Sequence, residues 1–174
     1  MAKLRRAVAY RRIERPYTRK SKYREKTFIR AAPTNKVVRF DMGDPKKSYD
    51  YTLNLISKDA IQIRHNALES ARMTSNRTLE NELGKTGFYF KIKVYPHHVL
   101  RENPIAAGAG ADRFSTGMQK AFGKPTGLAA QIKKGQTIFA ISVNKGSVKL
   151  AKEALRKAKN KFPCGCAIEV NKNN

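Results

Sequence analysis

Acidic residues are scarce in this chain. Thirteen Asp and Glu stand against 37 Lys and Arg, a formal charge of +24 and a pI near 10.4. Such an excess repels itself in the compact state unless a polyanion neutralises it, which narrows the partners to nucleic acid or an anionic membrane surface. Long apolar runs are missing too. No stretch approaches the roughly 18 residues of a membrane-spanning helix. The opening MAKLRRAVAYRRIERP has no apolar core of signal-peptide length. Its Arg-rich, acid-poor character is that of a transit peptide, but the basic run continues to Arg30 with no small-residue cleavage pattern. The expectation is a soluble, cytoplasmic protein with no membrane partner.

Cysteine and histidine are equally sparse. The two cysteines form Cys164-Gly165-Cys166, half a zinc site at best, with no histidine at metal-finger spacing. A disulfide one residue apart is strained, so unreactive thiols are expected. Of the three histidines, the adjacent His97 and His98 project to opposite sides of an extended chain and make poor joint ligands. His65 falls beside Arg64 on an expected helix, and all three are expected at the surface or facing RNA. No serine or cysteine has a nucleophile's context. The acids concentrate between residues 41 and 82, where a solvated helix face accounts for Glu69, Glu80 and Glu82. Nothing assembles a catalytic constellation, so no enzyme, metal or cofactor is expected.

What is present is unevenly spread. The first 30 residues hold 12 basic and 2 acidic side chains. The chain divides into a basic arm, residues 1–33, and a single body, residues 34–174, interrupted by a loop at 103–127. Within the body, KVVRFDMG (36–43), YDYTLNLIS (49–57) and GFYFKIKVYP (87–96) read as strands. In the last, Phe88, Phe90, Ile92 and Val94 share one face, and Tyr89, Lys91, Lys93 and Tyr95 the other. Between the second and third strands, Ile61, Ile63, Ala67, Leu68, Ala71, Leu79 and Leu83 form a helical stripe from Asp59, closed by Gly84. LAAQI (128–132) and QTIFAISV (136–143) read as two more strands. A second helix over 147–161, capped by Ser147 or Asn144, turns Val148, Ala151, Leu155 and Ala158 inward and Lys149, Lys152, Arg156 and Lys159 outward. FPCGCAIEV (162–170) ends in a short strand. The expected class is α+β: a two-layer sandwich of a mixed or antiparallel sheet with two helices, plus the arm and the long Gly/Ala-rich loop.

The arm pairs its arginines and interleaves them with aromatics. Arginine forks grip phosphate bidentately, and aromatic faces stack on exposed bases. A solubilising tail would need no aromatics. The candidate RNA-binding residues are Lys3, Arg5, Arg6, Arg11, Arg12, Arg15, Arg19, Lys20, Lys22 and Arg24, with Tyr17 and Tyr23 stacking. Lacking a core, such an arm is expected to order on RNA.

The loop segment PIAAGAGADRFSTGMQKAFGKP has four glycines and five alanines. GAGADR puts Arg113 where a dinucleotide fingerprint needs its third glycine. GMQKAFGKP has one residue too many for a phosphate-binding P-loop and ends in Pro125 instead of Ser or Thr. Long coreless loops in compact domains are usually functional. A 14-residue excursion reaches about 20 Å out and back. Small side chains would let it thread a crowded polyanionic cleft.

AGADRFSTGMQKAFGKPTG, preceded by GFYFKIKVYPHHVLREN and followed by EALRKAKNKFP, closely resembles the archaeal and eukaryotic L-ten-e branch of the universal L-sixteen family of large-subunit ribosomal proteins. RPYTRKSKY is similar to that family's K-P-Y-x-K-S-R-F start. The resemblance spans Arg15 to Pro163 and implies a two-layer α+β body wedged among helices of the large-subunit (23S-type) rRNA, near the 5S rRNA and other large-subunit proteins. It implies that the loop, here Ala106, Ala107, Gly108, Ala109, Gly110, Ala111, Asp112, Arg113 and Phe114, points toward the peptidyl-transferase centre and the acceptor arms of A- and P-site tRNA. It also implies late entry into subunit assembly. Arg113 is the expected RNA contact, with Asp112 holding the loop's own backbone. The family often has bulkier residues ahead of A-G-A-D-R, and the end at Asn174 without an acidic tail suggests an archaeal type. The alternative is a transient RNA chaperone or assembly factor. A third class, an RNA-modifying enzyme, would need a buried acid, histidine or cofactor site.

Overall fold

Alternation of large apolar with polar side chains builds the first sheet. In the computed structural model, which describes residues 4–16, 18, 22–26, 28–29, 31–103, 108, 110 and 123–173, Tyr51–Ser57 (β2) buries Leu53 and Leu55 completely. The Thr52 and Asn54 side chains lie on its other face. The same alternation runs through Tyr89–Ile92 (β4), whereas Thr137–Val143 (β7) buries Ile138 to Ile141 in succession and then Val143. With Asp41–Gly43 (β1) and Cys166–Lys172 (β8) these strands form a five-stranded antiparallel sheet in the order β1-β4-β7-β2-β8. Register places Phe90 opposite Ile141, and Leu55 and Ile92 opposite Phe139, so the inward side chains meet across the ladder.

A second antiparallel sheet is small: Ile61–Arg64 (β3), Lys124–Ile132 (β6) and His98–Glu102 (β5), in the order β3-β6-β5. The two long helices among the described residues are His65–Leu83 (α1) and Val148–Lys159 (α2). α1 packs on β3 and β6, α2 packs on β2, β7 and β8, and the helices pack on each other. Small residues let them approach: Ala71, Ala151, Ala154 and Ala158 are fully buried. The buried Ser75 hydroxyl donates to the Ala154 carbonyl at 3.1 Å. Ile61, Ile63, Ala130 and Ile132 join Leu53, Phe90, Phe139 and Leu155 in one core, which therefore ties both sheets together.

The architecture is the expected α+β class, but it holds two sheets where one was expected. The expected helix from Asp59 starts only at His65, because Ile61 to Arg64 pair with Ile132 to Ala129. Strand β5 was not foreseen. The expected strand 36–43 shrinks to Asp41–Gly43 and 87–96 to Tyr89–Ile92, although Phe88 and Val94 keep their buried places. β6 extends the expected 128–132 back to Lys124. Neither Asn144 nor Ser147 caps α2 with its side chain; a 3-10 turn, Lys145–Ser147, leads into the helix instead. The Asp50 carboxylate accepts from the Lys145 amide at 3.0 Å.

Gly43 shows how tightly β1 meets β4. Its φ of +84° is on the left-handed side, and a β-carbon there would lie 2.0 Å from the Phe88 carbonyl oxygen. That carbonyl accepts from the Asp44 amide at 3.0 Å, so only glycine lets the chain leave β1 at this point.

Candidate nucleic-acid interface

The arm is clasped to the second sheet through its own backbone. The Gln62 amide donates to the Arg11 carbonyl at 3.0 Å, and the Gln62 side-chain amide donates to the carbonyls of Tyr10 and Arg12 at 3.2 and 2.8 Å. Gln131, directly opposite Gln62 in the β3–β6 ladder, donates to the Glu14 carbonyl at 2.7 Å and to the Gln62 side-chain oxygen at 3.1 Å. The Nδ1 of His98 also bonds that oxygen. Backbone carbonyls thus hold residues 10–14 while leaving their side chains for other work.

Arg5, Arg6, Arg11, Arg12 and Arg15 are exposed. Arg5 ion-pairs with Glu102 of β5, its Nε donating at 2.7 Å. Arg11 reaches across to the Pro163 carbonyl at 2.8 Å. The Arg64 guanidinium lies over the Tyr10 ring at 5.9 Å. Lys22 and Tyr23 are exposed, and the ammonium groups of Lys22 and Lys26 stand 5.1 and 5.2 Å from the Tyr23 ring centre. Exposed contacts of this kind are worth about 0.5–1 kcal/mol each, little enough for an incoming phosphate to draw the lysines away. Arg24 opens a 3-10 turn, Arg24–Lys26. Lys3, Tyr17, Arg19 and Lys20 lie outside the described residues.

In the loop, Gly108 and Gly110 have φ of +125° and +75°, the left-handed side that glycine adopts at no steric cost. Ala106, Ala107, Ala109, Ala111, Asp112, Arg113 and Phe114 lie outside the described residues.

The histidine expectation needs correction. His97 is exposed, but His65 and His98 are only 8% and 6% exposed. His65 starts α1 under the arm, its Nδ1 accepting from the Lys36 amide at 3.3 Å, and His98 belongs to the clasp. β5 was unforeseen, so the burial of His98 was too. Burial lowers the pKa of His65 below its ordinary 6.5, and Lys36 and Arg64 push the same way. Burial also lowers His98, helped by Arg101 and opposed by Glu14. Groups depressed in the folded state leave stability intact above the unfolded value near 6.5 and lose it as pH falls through the folded value. The melting temperature is therefore expected to drop between pH 7 and pH 5, and to drop less in a His65→Asn, His98→Gln double variant. An equal drop in both proteins would show that these imidazoles are not the cause.

Cys164 and Cys166 are free thiols with sulfurs 3.7 Å apart. Hydrogen bonding to Cys166, joined by the Ser57 hydroxyl, outweighs burial and brings Cys164 down to about 7; the same partnership pushes Cys166 up. Cys164 is therefore more acidic than the unreactive thiol expected. Among the described residues no group of three His, Cys, Asp or Glu could hold a metal ion, and no helix is long and apolar enough to cross a membrane.

Two further surfaces complete the electrostatic picture. The outer face of α2 exposes Lys149, Arg156 and Lys159, as its periodicity indicated. The five-stranded sheet has an open polar groove lined by Thr52, Asn54, Tyr89, Lys91, Lys93, Gln136, Thr137, Ala140 and Ser142. Gln62 and Gln131 were missed as site residues. The one available signal was a polar residue between Ile61 and Ile63, and it carried no weight while that segment read as helix.

The family model described as "Ribosomal protein L16p/L10e" matches residues 14–169. The chain is 51% identical to a protein named "Large ribosomal subunit protein uL16" from Methanococcus maripaludis strain S2, over 97% of this chain and 95% of that one. It is 48% identical to the Methanococcus aeolicus protein of the same name, with the same coverage. The chain is 44% identical to the Archaeoglobus fulgidus protein of that name, over 95% of this chain and 92% of that one.

Proposed function

Because the chain belongs to the ribosomal protein L16p/L10e family, and is thus a constituent of the large ribosomal subunit, associated with rRNA and other ribosomal proteins in the cytoplasmic ribosome, we propose that its basic arm neutralises rRNA phosphates while its loop serves the tRNA acceptor arms. The relatives are named as ribosomal proteins, not as enzymes. One observation carries the arm reading. Tyr10, Arg11, Arg12 and Glu14 are pinned by their carbonyls, so the exposed guanidinium groups of Arg11 and Arg12 spring from a fixed strip of backbone, with the exposed Arg6 at the head of the 3-10 turn, Ala7–Tyr10, that leads into it. Ordering the arm on RNA then costs less entropy than it would for a free chain.

The finer assignments follow the same logic. Lys3, Arg5, Arg15, Arg19, Lys20, Lys22 and Arg24 extend the phosphate grip, and Tyr17 and Tyr23 stack on bases. The loop over Ala106–Phe114 reaches toward the peptidyl-transferase centre, with Arg113 its RNA contact, and the body lies near the 5S rRNA. The direct experiment is sedimentation of tagged protein from cell lysate at low and then high salt. Stoichiometric retention on large subunits and translating ribosomes at high salt is expected. Release at high salt, or presence only on precursor particles, would make it a transient assembly factor. Replacing residues 105–117 by a short Gly-Ser turn is expected to leave the isolated chain folded but to deplete polysomes. Unchanged polysomes would remove the loop's proposed role.

A further inference from the structure

An aromatic row, formed by residues outside the arm, has its outer rings just after the groove lysines Lys91 and Lys93 along the chain. It runs Phe40–Tyr95–His97, with ring centres 5.3 Å apart in a stacked pair and 4.6 Å apart in a tilted one. Phe40 is half-buried and packs against the core, Tyr95 is 48% exposed, and His97 is exposed. The row is thus rooted in the protein and ends in solvent. It is also stiff. Pro96 stands between the two outer rings, and the His97 amide donates to the Tyr95 carbonyl at 3.1 Å.

Cations lead up to this row. Lys91 and Lys93 line the groove, and Tyr95 follows Lys93 by two residues, about 7 Å along an extended chain. At another edge the turn before β7 adds the exposed Lys133 and Lys134 beside Gln136. Asp41 answers only part of this charge: it pairs with Lys91 at 3.4 Å and accepts from the Tyr89 hydroxyl at 2.5 Å. The groove floor is small or uncharged, formed by Ala140, Ser142, Thr52 and Asn54. An apolar partner would leave these lysines and hydroxyls without water or partners.

Pre-ordered rings that end in solvent, beside a lysine-lined polar groove, match a nucleic-acid strand with an unstacked base. We propose that this surface is a second rRNA contact, in which an unpaired base extends the aromatic row by stacking on His97 while the adjoining phosphates lie along Lys91 and Lys93. The proposal rests on the reading that the chain sits against large-subunit rRNA, but it is independent of the arm.

The test uses intact large subunits carrying the full-length chain. After ultraviolet cross-linking, trypsin, which cuts after Lys93 and Arg101, should release peptide 94–101 with a nucleotide attached at Tyr95 or His97. In parallel, large subunits lacking the chain, prepared from cells depleted of it, are titrated with full-length variants. His97→Ala and Tyr95→Ala are expected to bind about tenfold more weakly, the loss typical of one stacked base, and Tyr95→Phe to bind like the parent. His97 is exposed, so its replacement leaves the fold in place. Cross-links on arm peptides with none on 94–101, together with full-strength binding of His97→Ala, would overturn this contact and leave the arm reading standing. A chemical cross-link from this peptide to a neighbouring protein, with no loss of RNA binding, would also overturn it. The absence of rRNA cross-links anywhere in the chain would overturn the arm reading along with it.

Discussion

Replacing Arg6, Arg11 and Arg12 together with alanine is expected to weaken binding to large-subunit rRNA by about two orders of magnitude at 150 mM salt. The estimate follows from counterion release. Each phosphate neutralised contributes roughly 0.7 on a single strand to 0.9 on duplex DNA to the slope of log K against log salt, so losing three should make that slope shallower by about 2 to 3. The fold should survive. The clasp from Gln62 and Gln131 grips the carbonyls of Tyr10, Arg11, Arg12 and Glu14, which alanine retains. Only the Arg11 bond to the Pro163 carbonyl is lost among the contacts described for these side chains, and exposed bonds of this kind contribute about 1 kcal/mol. The check is a salt titration of rRNA binding beside a melting curve of the free variant. A weaker but equally salt-dependent complex would mean that these guanidinium groups do not meet phosphates. A lowered melting temperature would mean that they act on the fold.

The contrast between the clasp and the phosphate grip explains what could be read from the sequence. The proposed grip is a matter of residue type: paired arginines and interleaved tyrosines are visible in one dimension. The sheet-forming strands with strict alternation were visible too, and so was α2, because Ala151, Leu155 and Ala158 recur at helical spacing. Ile61 and Ile63 were ambiguous. They alternate like a strand, but Ile63, Ala67 and Ala71 also fit a helix, and only the ladder to Ala130 and Ile132 decides between them. Strand β5 was hidden because its partner β6 is distant in the chain and its own Val99 and Leu100 do not alternate. Both are buried, Val99 in a small satellite cluster with Ile29 and Leu128. With β3 and β5 unread, nothing could bring Gln62, His98 and Gln131 together. Their burial and their hold on the arm are products of tertiary pairing. The same is true of the aromatic row: Tyr95 was placed on the lysine face of its strand, but Phe40 comes from a different segment.

This division has a physical consequence. A chain of +24 carries charges that destabilise its own compact state, so the core must supply the difference. The clasp contributes by directing arm carbonyls inward, which keeps their polar groups paired while the arginines remain solvated. It also places buried, neutral histidines near the most basic segment, where protonation is least tolerated.

The core's own share is concentrated at Phe139. The residue is fully buried, its ring meets Phe90 edge-on at 5.0 Å and Phe162 at 5.4 Å, and it faces Leu55 and Ile92 across two ladders. It therefore joins the centre of the five-stranded sheet to the segment that follows α2. Phe139→Ala is expected to cost about 4 kcal/mol, the usual range for emptying a closed aromatic site being roughly 3–5. Each lost edge-on ring pair accounts for about 0.5–1.5 kcal/mol beyond the buried area. Against a typical total of about 5–15 kcal/mol, that is a large fraction. The melting temperature should fall by roughly 10 °C for a domain of this size. Phe162→Ala should cost less, because Phe162 is 8% exposed and stands at the margin of the core. Phe139→Leu should recover most of the loss. Below the variant's transition, the salt slope of rRNA binding should match the parent, since Phe139 is fully buried and uncharged. A fall of only about 3 °C would mean that the surrounding residues collapse into the space, and that the two helices and two sheets are less rigidly joined than this ring cluster implies.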